Sequence, residues 1–294
     1  MEQTVLQLSN KKLKLVPLEI YNYVHLTSLS MAFNKIPDID KICKTLLNLK
    51  TLNMSNNCIR SLPISLNNLT NLTTLNLYNN KLNRINISLA PLINLKRADF
   101  GVNKLNEISL AYLAQCPALT ELSVLSNSLK SLPQEMNQMK SLKRLDISFN
   151  YLKSMPDLKS IQTLETISIS DNYIEHLENL PSSIKEIKSY YNNFKSIKQN
   201  NFTQLYKIEL KKGEIEEIDC SNFNDALDSL QHFDYSFNRI SFIPEDISKF
   251  KNVTTLILGN NNITKLSKSL GIFSSLFYIF KFIKLLSKKK KNEN

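Results

Sequence analysis

One pattern of apolar residues, LxxLxLxxNxL, returns along almost the whole of this 294-residue chain. Clear copies begin at Leu49, Leu72, Leu142 and Val253. The fourth position of the pattern recurs twelve times, at spacings of 20 to 25 residues and most often 23, and falls at Leu6, Leu29, Leu52, Leu75, Ala98, Leu122, Leu145, Ile167, Ile187, Ile208, Phe233 and Leu256. A period of this length predicts a stack of similar units along one axis.

Each copy of the pattern predicts one short strand, because x-L-x-L-x alternates with period two and turns its apolar side chains to one face. The strands should pair in parallel, since every unit returns to the same edge. The segments 61–72, 131–142 and 242–253 place a proline at the start of a helix-like turn, where its missing N–H costs least. The predicted fold class is therefore an α/β solenoid with a parallel concave β-sheet and short helical turns on the convex side.

The pattern resembles that of the leucine-rich repeat family over roughly residues 3–275. The resemblance implies a horseshoe of about twelve repeats, which we assign to residues 1–271. The 23-residue copies with Ile-Pro or Leu-Pro resemble the Ras-suppressor type of repeat, whereas the shorter copies from about 164 to 215 resemble the phosphatase-regulating type. Both types are intracellular, so the resemblance implies a cytoplasmic protein.

The family uses an asparagine after each strand to hydrogen-bond backbone groups of the following turn, so stacked asparagines should form a buried ladder. The residues that should form it are Asn34, Asn57, Asn80, Asn103, Asn127, Asn150, Asn172, Asn192, Asn238 and Asn261. Lys11 and Gly213 hold this position in the first and tenth repeats. The ladder should be interrupted at those two places.

Function in this family usually lies on the outward positions of the concave sheet. In one outward row Gly101 lies between Tyr78 and Leu125, which predicts a shallow depression with one aromatic and one aliphatic wall. The candidate partner-binding residues are Tyr78, Arg97, Asp99, Gly101, Glu121, Leu125, Arg144, Asp146, Lys188, Tyr190, Lys207 and Lys211. An alternative stays open, in which the opposite charges among them only pair with each other across neighbouring strands.

Two further features, at the eighth position of the pattern and at His232, are given no binding or catalytic role. The aromatic residues at the eighth position of the pattern are expected to turn into the solenoid, as residues there commonly do in the family; they are Phe33, Phe149, Tyr191 and Phe237. His232 lies beside Asp234, but no neighbouring serine or cysteine completes a catalytic geometry. No catalytic residue is therefore predicted.

Composition argues against several other functions. The chain has only four glycines, no two of them close together, so neither a phosphate-binding loop nor a dinucleotide fingerprint can form. Its three histidines and four cysteines lie too far apart for the usual metal-binding spacings, so no metal and no cofactor are predicted. Only five of the 37 basic residues are arginine and most are spread thinly, which makes nucleic acid an unfavoured partner despite the net charge of +11.

The start of the chain does not have the pattern of a secretory signal, which favours the cytosol and reduced cysteines. The last 23 residues, 272–294, leave the repeat pattern and carry an apolar stretch followed by a lysine run. Three interpretations stay open for this segment: a cap over the end of the core, a helix that contacts anionic membrane surfaces through 272–291, or a weakly constrained tail where a longer protein once continued.

Taken with the family resemblance, these features predict a scaffold that binds another protein, in signalling or its regulation, and that is not an enzyme. One alternative is the recognition arm of a larger signalling enzyme, such as a kinase, phosphatase or cyclase. Another is an adaptor at the membrane surface that uses the basic tail. The partner stays unnamed, because these scaffolds change partners by changing outward residues while the inward leucines remain.

Overall fold

The computed structural model describes residues 4–155, 157–198 and 201–265. The chain forms two compact units, which divide between Tyr151 and Leu152. The segment 272–294, with its three alternative interpretations, lies outside the described residues. The assignment of 1–271 to one repeat domain stays a prediction.

The N-terminal unit contains seven short parallel strands, one in each repeat. They are β1 (Val5–Gln7), β2 (Ser28–Ser30), β3 (Thr51–Asn53), β4 (Thr74–Asn76), β5 (Arg97–Asp99), β6 (Glu121–Ser123) and β7 (Arg144–Asp146). Each strand pairs with the strand of the next repeat, so that Leu29 on β2 is aligned with Leu52 on β3 and Leu52 with Leu75 on β4. The observed strands coincide with the predicted ones, because the buried leucines fix which side chains of each strand point inward and which point outward.

The C-terminal unit contains a five-stranded parallel sheet and a second sheet of two strands. In chain order the strands are β8 (Thr166–Ser168), β9 (His176–Leu177), β10 (Glu186–Tyr190), β11 (Ser196–Ile197), β12 (Lys207–Lys211), β13 (His232–Asp234) and β14 (Thr255–Ile257). The larger sheet runs β8-β10-β12-β13-β14, whereas β9 pairs with β11 in the connecting segments. The five strands of the larger sheet were predicted, and the β9–β11 pair was not.

Short helical turns connect the strands elsewhere. They comprise the α-helices α1 (Asp40–Thr45) and α2 (Glu107–Leu113) and the 3₁₀ segments Leu18–Asn22, Ile64–Asn68, Gln134–Gln138, Cys220–Ala226 and Glu245–Lys249. As the sequence predicted, Pro63, Pro133 and Pro244 directly precede 3₁₀ helices. Among the described residues, no helix is both long and apolar enough to span a bilayer.

The core lies between the sheet and these connecting segments. Inward strand residues such as Leu52 and Leu75 are at most 1% exposed, as expected for an alternating strand with one buried face. In the C-terminal unit larger rings replace leucines, and the Phe223 ring lies 6.1 Å from Phe202, 5.8 Å from Phe233 and 6.0 Å from Phe250, between ring centroids. These aromatic rings pack against one another in the core of the C-terminal unit.

The chain leaves each strand through one residue in the left-handed backbone region. This is the eighth position of every repeat, where φ lies between 50° and 59° in all twelve repeats. The N–H of that residue donates to the carbonyl of the next repeat, as from Phe33 to Ser55 at 3.0 Å and from Asn79 to Gly101 at 2.8 Å. The turn is therefore part of the ladder between repeats.

The expectation that aromatic residues at this eighth position turn into the core was wrong. The exposed fractions are 61% for Phe33, 52% for Phe149, 52% for Tyr191 and 47% for Phe237. The reason is the positive φ, which rotates the side chain away from the interior that the preceding inward residues face.

Candidate functional site

The candidate residues lie on one face of each sheet, called the open face from here on, which carries the third, fifth and seventh positions of the repeats. In the N-terminal unit the third-position residues Arg97, Glu121 and Arg144 are aligned on β5, β6 and β7. Asp99 and Asp146 end β5 and β7 in the fifth-position row. The rows written from the sequence are therefore rows of the sheet.

The depression expected at Gly101 is closed. A Cβ atom on Gly101 would lie 3.0 Å from Cγ of Leu125 and 3.0 Å from Cδ2 of Tyr78. Gly101 is buried, whereas Tyr78 and Leu125 are half-buried. The expectation failed because neighbouring side chains close over a residue that has no side chain of its own. What remains is an aromatic and aliphatic surface, called the Tyr78–Leu125 patch below.

The charged third-position residues beside this patch make contacts within the protein. Nη1 of Arg144 lies 2.8 Å from Oε1 of Glu121, and Nη2 of Arg97 donates to Oγ1 of Thr74 at 2.9 Å. Pairing across neighbouring strands thus accounts for Arg144 and Glu121. Because this ion pair is largely exposed, solvent screening limits its contribution to about 0–1 kcal/mol.

The two aspartates of the fifth-position row hold the turn that follows their strands. Oδ1 of Asp99 accepts from the Gly101 N–H at 2.9 Å, and Oδ1 of Asp146 accepts from the Ser148 N–H at 3.0 Å. Desolvation raises the pKa of Asp99. The same bond to the N–H two residues on is made by Asn53, Asn76 and Asp234. These carboxylates therefore have a structural role in addition to any contact with a partner.

Tyrosine and lysine side chains of β10 and β12 form a network on the open face of the C-terminal unit. Oη of Tyr190 donates to Oε2 of Glu209 at 3.0 Å. Nζ of Lys211 lies 2.7 Å from Oδ2 of Asp234 and 4.8 Å from the centre of the Tyr190 ring. The predicted residues Tyr190 and Lys211 are thus brought together, with two carboxylates that were not among the candidates.

The other predicted lysines of this face are also paired. Nζ of Lys188 lies 2.9 Å from Oε2 of Glu186, and Nζ of Lys207 lies 3.5 Å from Oε1 of Glu209. Tyr206 donates a hydrogen bond to Glu186. Opposite charges therefore neutralise much of this face locally.

Three residues of this network have the composition of a metal site. Glu209, His232 and Asp234 each offer one ligand atom, and these atoms lie within 4.8 Å of one another. An imidazole with carboxylates suits Zn²⁺ or Fe²⁺. However, the Lys211 ammonium lies 2.7 Å from Asp234 and 3.5 Å from Glu209, so a metal ion would have to displace it. Spacing rules missed this group because its residues come from two repeats.

Glu209 is the most strongly perturbed carboxylate of the group. Its contact with His232, at 3.3 Å between Oε1 and Nε2, lowers the pKa of Glu209 from 4.5 to about 2. The Lys211 ammonium and the Tyr190 hydroxyl act in the same direction, while desolvation opposes them. Glu209 is consequently a charged, nearly buried carboxylate at neutral pH.

A surface that the sequence reasoning missed lies at the eighth positions of the C-terminal unit. Nζ of Lys212 lies 4.1 Å from the centre of the Tyr191 ring and 5.4 Å from the centre of the Phe237 ring. The signal was present in the sequence, since each of these residues comes one position before the place of the ladder asparagine. The expectation that these side chains turn inward was wrong because their exposure depends on the positive φ of the eighth position.

The ladder asparagines join the backbones of neighbouring repeats. In Asn127, Oδ1 accepts from the Leu105 N–H at 2.8 Å, while Nδ2 donates to the carbonyls of Val124 at 3.0 Å and Phe100 at 3.1 Å. Eight of the ten are buried, and Asn103 and Asn261 are half-buried.

The ladder also accommodates the two repeats that have no asparagine. Oδ1 of Asn34 accepts from the backbone N–H of Lys11 at 3.1 Å. At the tenth repeat, a Cβ atom on Gly213 would lie only 2.8 Å from Oδ1 of Asn238. The neighbouring asparagine therefore takes the space that a side chain would need there.

The cysteines are free thiols. Burial raises the pKa of Cys43, Cys116 and Cys220 to about 12 in each case. Because the thiolate is the nucleophilic form, these three side chains are poor nucleophiles at neutral pH. Their environment is that of core residues.

Comparison with known proteins identifies the repeats. Residues 47–90 match a family model described as leucine rich repeats in two copies, and residues 203–263 match a model described as leucine rich repeat. Toll-like receptor 9 of Bos taurus is 30% identical over 114 residues, which cover 34% of this chain and 11% of the receptor. This chain contains leucine-rich repeats, and it matches only about a ninth of the receptor's length.

Solved structures share the fold over nearly the whole chain. A leucine-rich repeat protein of Leptospira interrogans is 25% identical with a TM-score of 0.73, and the match covers 92% of this chain and 82% of that one. The ectodomain of the plant membrane receptor kinase GASSHO1/SCHENGEN3 from Arabidopsis thaliana, solved in complex with CASPARIAN STRIP INTEGRITY FACTOR 2, is 24% identical with a TM-score of 0.67. That match covers 89% of this chain and 33% of the ectodomain. The fold is an α/β leucine-rich repeat solenoid, and this fold points in general to protein–protein interaction.

Proposed function

We propose that this chain is an intracellular scaffold, without catalytic activity, that binds another protein through its open face in signalling or its regulation. The observation that supports this most is the Tyr78–Leu125 patch. Its two side chains are only half-buried although they are apolar or aromatic. The charged residues Arg97, Glu121 and Arg144 lie on the neighbouring strands β5, β6 and β7. An aromatic centre with a polar rim is typical of protein interfaces.

The network of the C-terminal unit is the second part of the proposed binding surface. Lys188, Tyr190, Lys207 and Lys211 are paired with carboxylates, so a partner would gain little by adding one more charge. A partner would gain more by replacing one of these internal ion pairs with an ion pair between the two proteins, which gives specificity and a defined orientation. The plant receptor ectodomain, solved in complex with CASPARIAN STRIP INTEGRITY FACTOR 2, is a precedent only for a ligand bound by a related fold.

The Tyr78–Leu125 patch can be tested with matched double variants of the full chain. Tyr78→Ala with Leu125→Ala should abolish or strongly weaken capture of one protein from lysate, read by mass spectrometry. The control is Ile93→Ala with Ile108→Ala, which truncates side chains that are 58% and 63% exposed in connecting segments. Binding of the purified partner to all three proteins should then show the same order of affinity.

Two results would contradict the proposed site. Equal binding by the Tyr78/Leu125 variant and the intact chain would remove the patch from the interface. Loss of binding by the Ile93/Ile108 variant alone would place recognition on the connecting segments. Denaturant unfolding of each variant separates lost contacts from lost folding.

A cytoplasmic location is part of the proposal. It is supported by the four free thiols, since cytosolic thiols are kept reduced. Fractionation with protease protection of a tagged full chain tests it: the tag should be digested only after the plasma membrane is permeabilised. Digestion on intact cells would contradict the proposal.

A second candidate is the recognition arm of a larger signalling enzyme. The observation that favours it is coverage, because the chain corresponds to 33% of the ectodomain of a receptor kinase and to 11% of Toll-like receptor 9. Sequencing full-length transcripts tests it directly. A continuous reading frame into a kinase, phosphatase or cyclase domain would favour the arm over the free scaffold.

A further inference from the structure

A cavity of about 50 Å³ lies in the C-terminal unit, beside the β9–β11 sheet. Its wall includes the exposed Glu217 and the half-buried Ser196 and Asn222, together with the buried Ile215 and Tyr235. The wall also includes the exposed Asp219 and the buried Phe223, so it combines polar residues near the surface with three buried residues. Among these three buried residues, Tyr235 is the one whose side chain carries a polar group, its hydroxyl.

The Tyr235 hydroxyl is buried without a hydrogen-bond partner among the described residues. Tyr235 is 1% exposed and occupies the inward sixth position, where the flanking repeats carry Leu210 and Leu258. Burial raises the pKa of Tyr235 well above 10, so the group remains an O–H donor at neutral pH. Buried hydroxyls are almost always satisfied by protein or by ordered water, because an unsatisfied one is costly.

The size and the walls of the cavity determine what can satisfy this hydroxyl. A water molecule needs roughly 10–15 Å³ of such volume, so the cavity has room for about three or four. Drug-sized ligands occupy pockets of roughly 300 Å³ or more. A cation beside the Tyr235 hydroxyl is disfavoured, because this neutral phenol and the buried Ile215 and Phe223 offer it no charged ligand. The carboxylate of Asp219 in the wall already accepts from the N–H and the hydroxyl of Ser221. The one charged lysine of the wall, Lys195, is paired with Glu175 at 2.9 Å.

We propose that this cavity is a binding site for a small cluster of ordered water, whose innermost molecule accepts a hydrogen bond from the Tyr235 hydroxyl. The outer molecules reach the polar groups of Ser196, Glu217 and Asn222. The water cluster is then a constituent of the repeat core, and it explains why a tyrosine stands at a position where a phenylalanine has the same ring.

Removal of the Tyr235 hydroxyl tests the proposal, because a hydrated hydroxyl and an unsatisfied one change the folding equilibrium constant in opposite directions when they are deleted. In the full chain, Tyr235→Phe should lower the folding equilibrium constant roughly threefold to tenfold, because a satisfied hydrogen bond is lost and its water is left with one partner fewer. The measurement is urea unfolding followed by circular dichroism. Tyr23→Phe removes a hydroxyl from an exposed side chain and should leave the constant unchanged.

An unchanged or higher folding equilibrium constant for Tyr235→Phe would overturn the proposal, because deletion of an orphaned hydroxyl stabilises a core. A high-resolution crystal structure of the full chain provides the second readout. Density of water about 2.7–2.8 Å from the Tyr235 oxygen is expected. An empty cavity, xenon bound in it under pressure, or density of another molecule would each contradict the assignment.

Discussion

At the scale of the residue, the ladder asparagine shows how many backbone groups one side chain can hydrogen-bond. Each side-chain amide has two N–H donors and an acceptor oxygen, and Asn127 uses them on four backbone groups of two repeats. A leucine at that place would leave these four backbone groups without their side-chain partner. Polarity therefore belongs to the core at this one position of the repeat.

Asn127→Ala should lower the free energy of unfolding by about 3 kcal/mol, because several buried backbone groups lose their partners at once. Urea unfolding of the purified chain measures the change. Asn71→Ala, at an exposed asparagine, should change it by less than about 0.5 kcal/mol. Similar losses from both variants would mean that the ladder bonds contribute no more than surface contacts.

The positions of the ladder asparagines follow from the sequence pattern, but the packing of the side chains around other positions does not. The asparagine is visible because a polar residue breaks an apolar pattern at a fixed offset. The closure of Tyr78 and Leu125 over Gly101 could not be predicted. A glycine between two larger residues suggests an open space, and the sequence alone does not show that the neighbouring side chains fill it. Whether that space stays open depends on the rotamers of the neighbours, which the pattern does not encode.

At the scale of the element, the left-handed residue determines how each strand ends. Asn10, Asn56, Asn79 and Asn260 are suited to positive φ, since asparagine tolerates the left-handed region better than most residues. Val102 has a φ of 52° and is β-branched, which makes its conformation unfavourable. The fifth repeat therefore contains local backbone strain.

Val102→Asn should raise the free energy of unfolding by about 1 kcal/mol, because it relieves this strain while the N–H of residue 102 still donates to Leu125. The reverse exchange, Asn79→Val, should lower it by a similar amount. Both are measured by urea unfolding against the unchanged chain. A gain from both exchanges would show that side-chain contacts, and not φ, decide this position.

The strands were predictable because alternation is local, whereas the β9–β11 pair depends on repeat length. Repeats of about 20–22 residues must span the same height as repeats of 23 with fewer residues in the connection. An extended residue rises about 3.3 Å and a helical one 1.5 Å, so the shorter connection is extended. The shorter spacing is visible in the sequence, but it does not by itself predict that two of these extended connections pair.

At the scale of the whole molecule, the net charge of +11 does not make every surface basic. On the open face of the C-terminal unit, lysines and carboxylates pair within and between adjacent strands. Positions of these residues followed from repeat phase alone. Their pairing did not, because it depends on side-chain reach across strands that lie about 20 or more residues apart in the sequence.

Acid should destabilise the folded chain through Glu209. Its pKa is about 2 when folded and near 4.5 ordinarily, so its stabilising contribution is complete above about pH 4.5 and is lost as the pH falls towards 2. Glu209→Gln should therefore flatten the fall of the free energy of unfolding across that window. Urea unfolding at pH 5, 4, 3 and 2 measures the slope.

The control for this acid experiment is Glu175→Gln. Lys195 lowers the pKa of Glu175 as well, but that pair is exposed and screened by solvent. This variant should keep most of the slope of the unchanged chain. An unaltered slope in Glu209→Gln would show that its carboxylate is not held below its ordinary pKa.

The parallel pairing of each strand with the next repeat has a consequence for how a chain of this kind can change its length. Residues 51–73 form one 23-residue period, and Thr51 and Thr74 occupy the same place in the sheet. Excision of that period would join Lys50 to Thr74, and it would bring two surfaces together that are already chemically alike. Gain or loss of a whole period is thus a smaller disturbance than the insertion of a single residue, and the open face can be lengthened in steps of one strand.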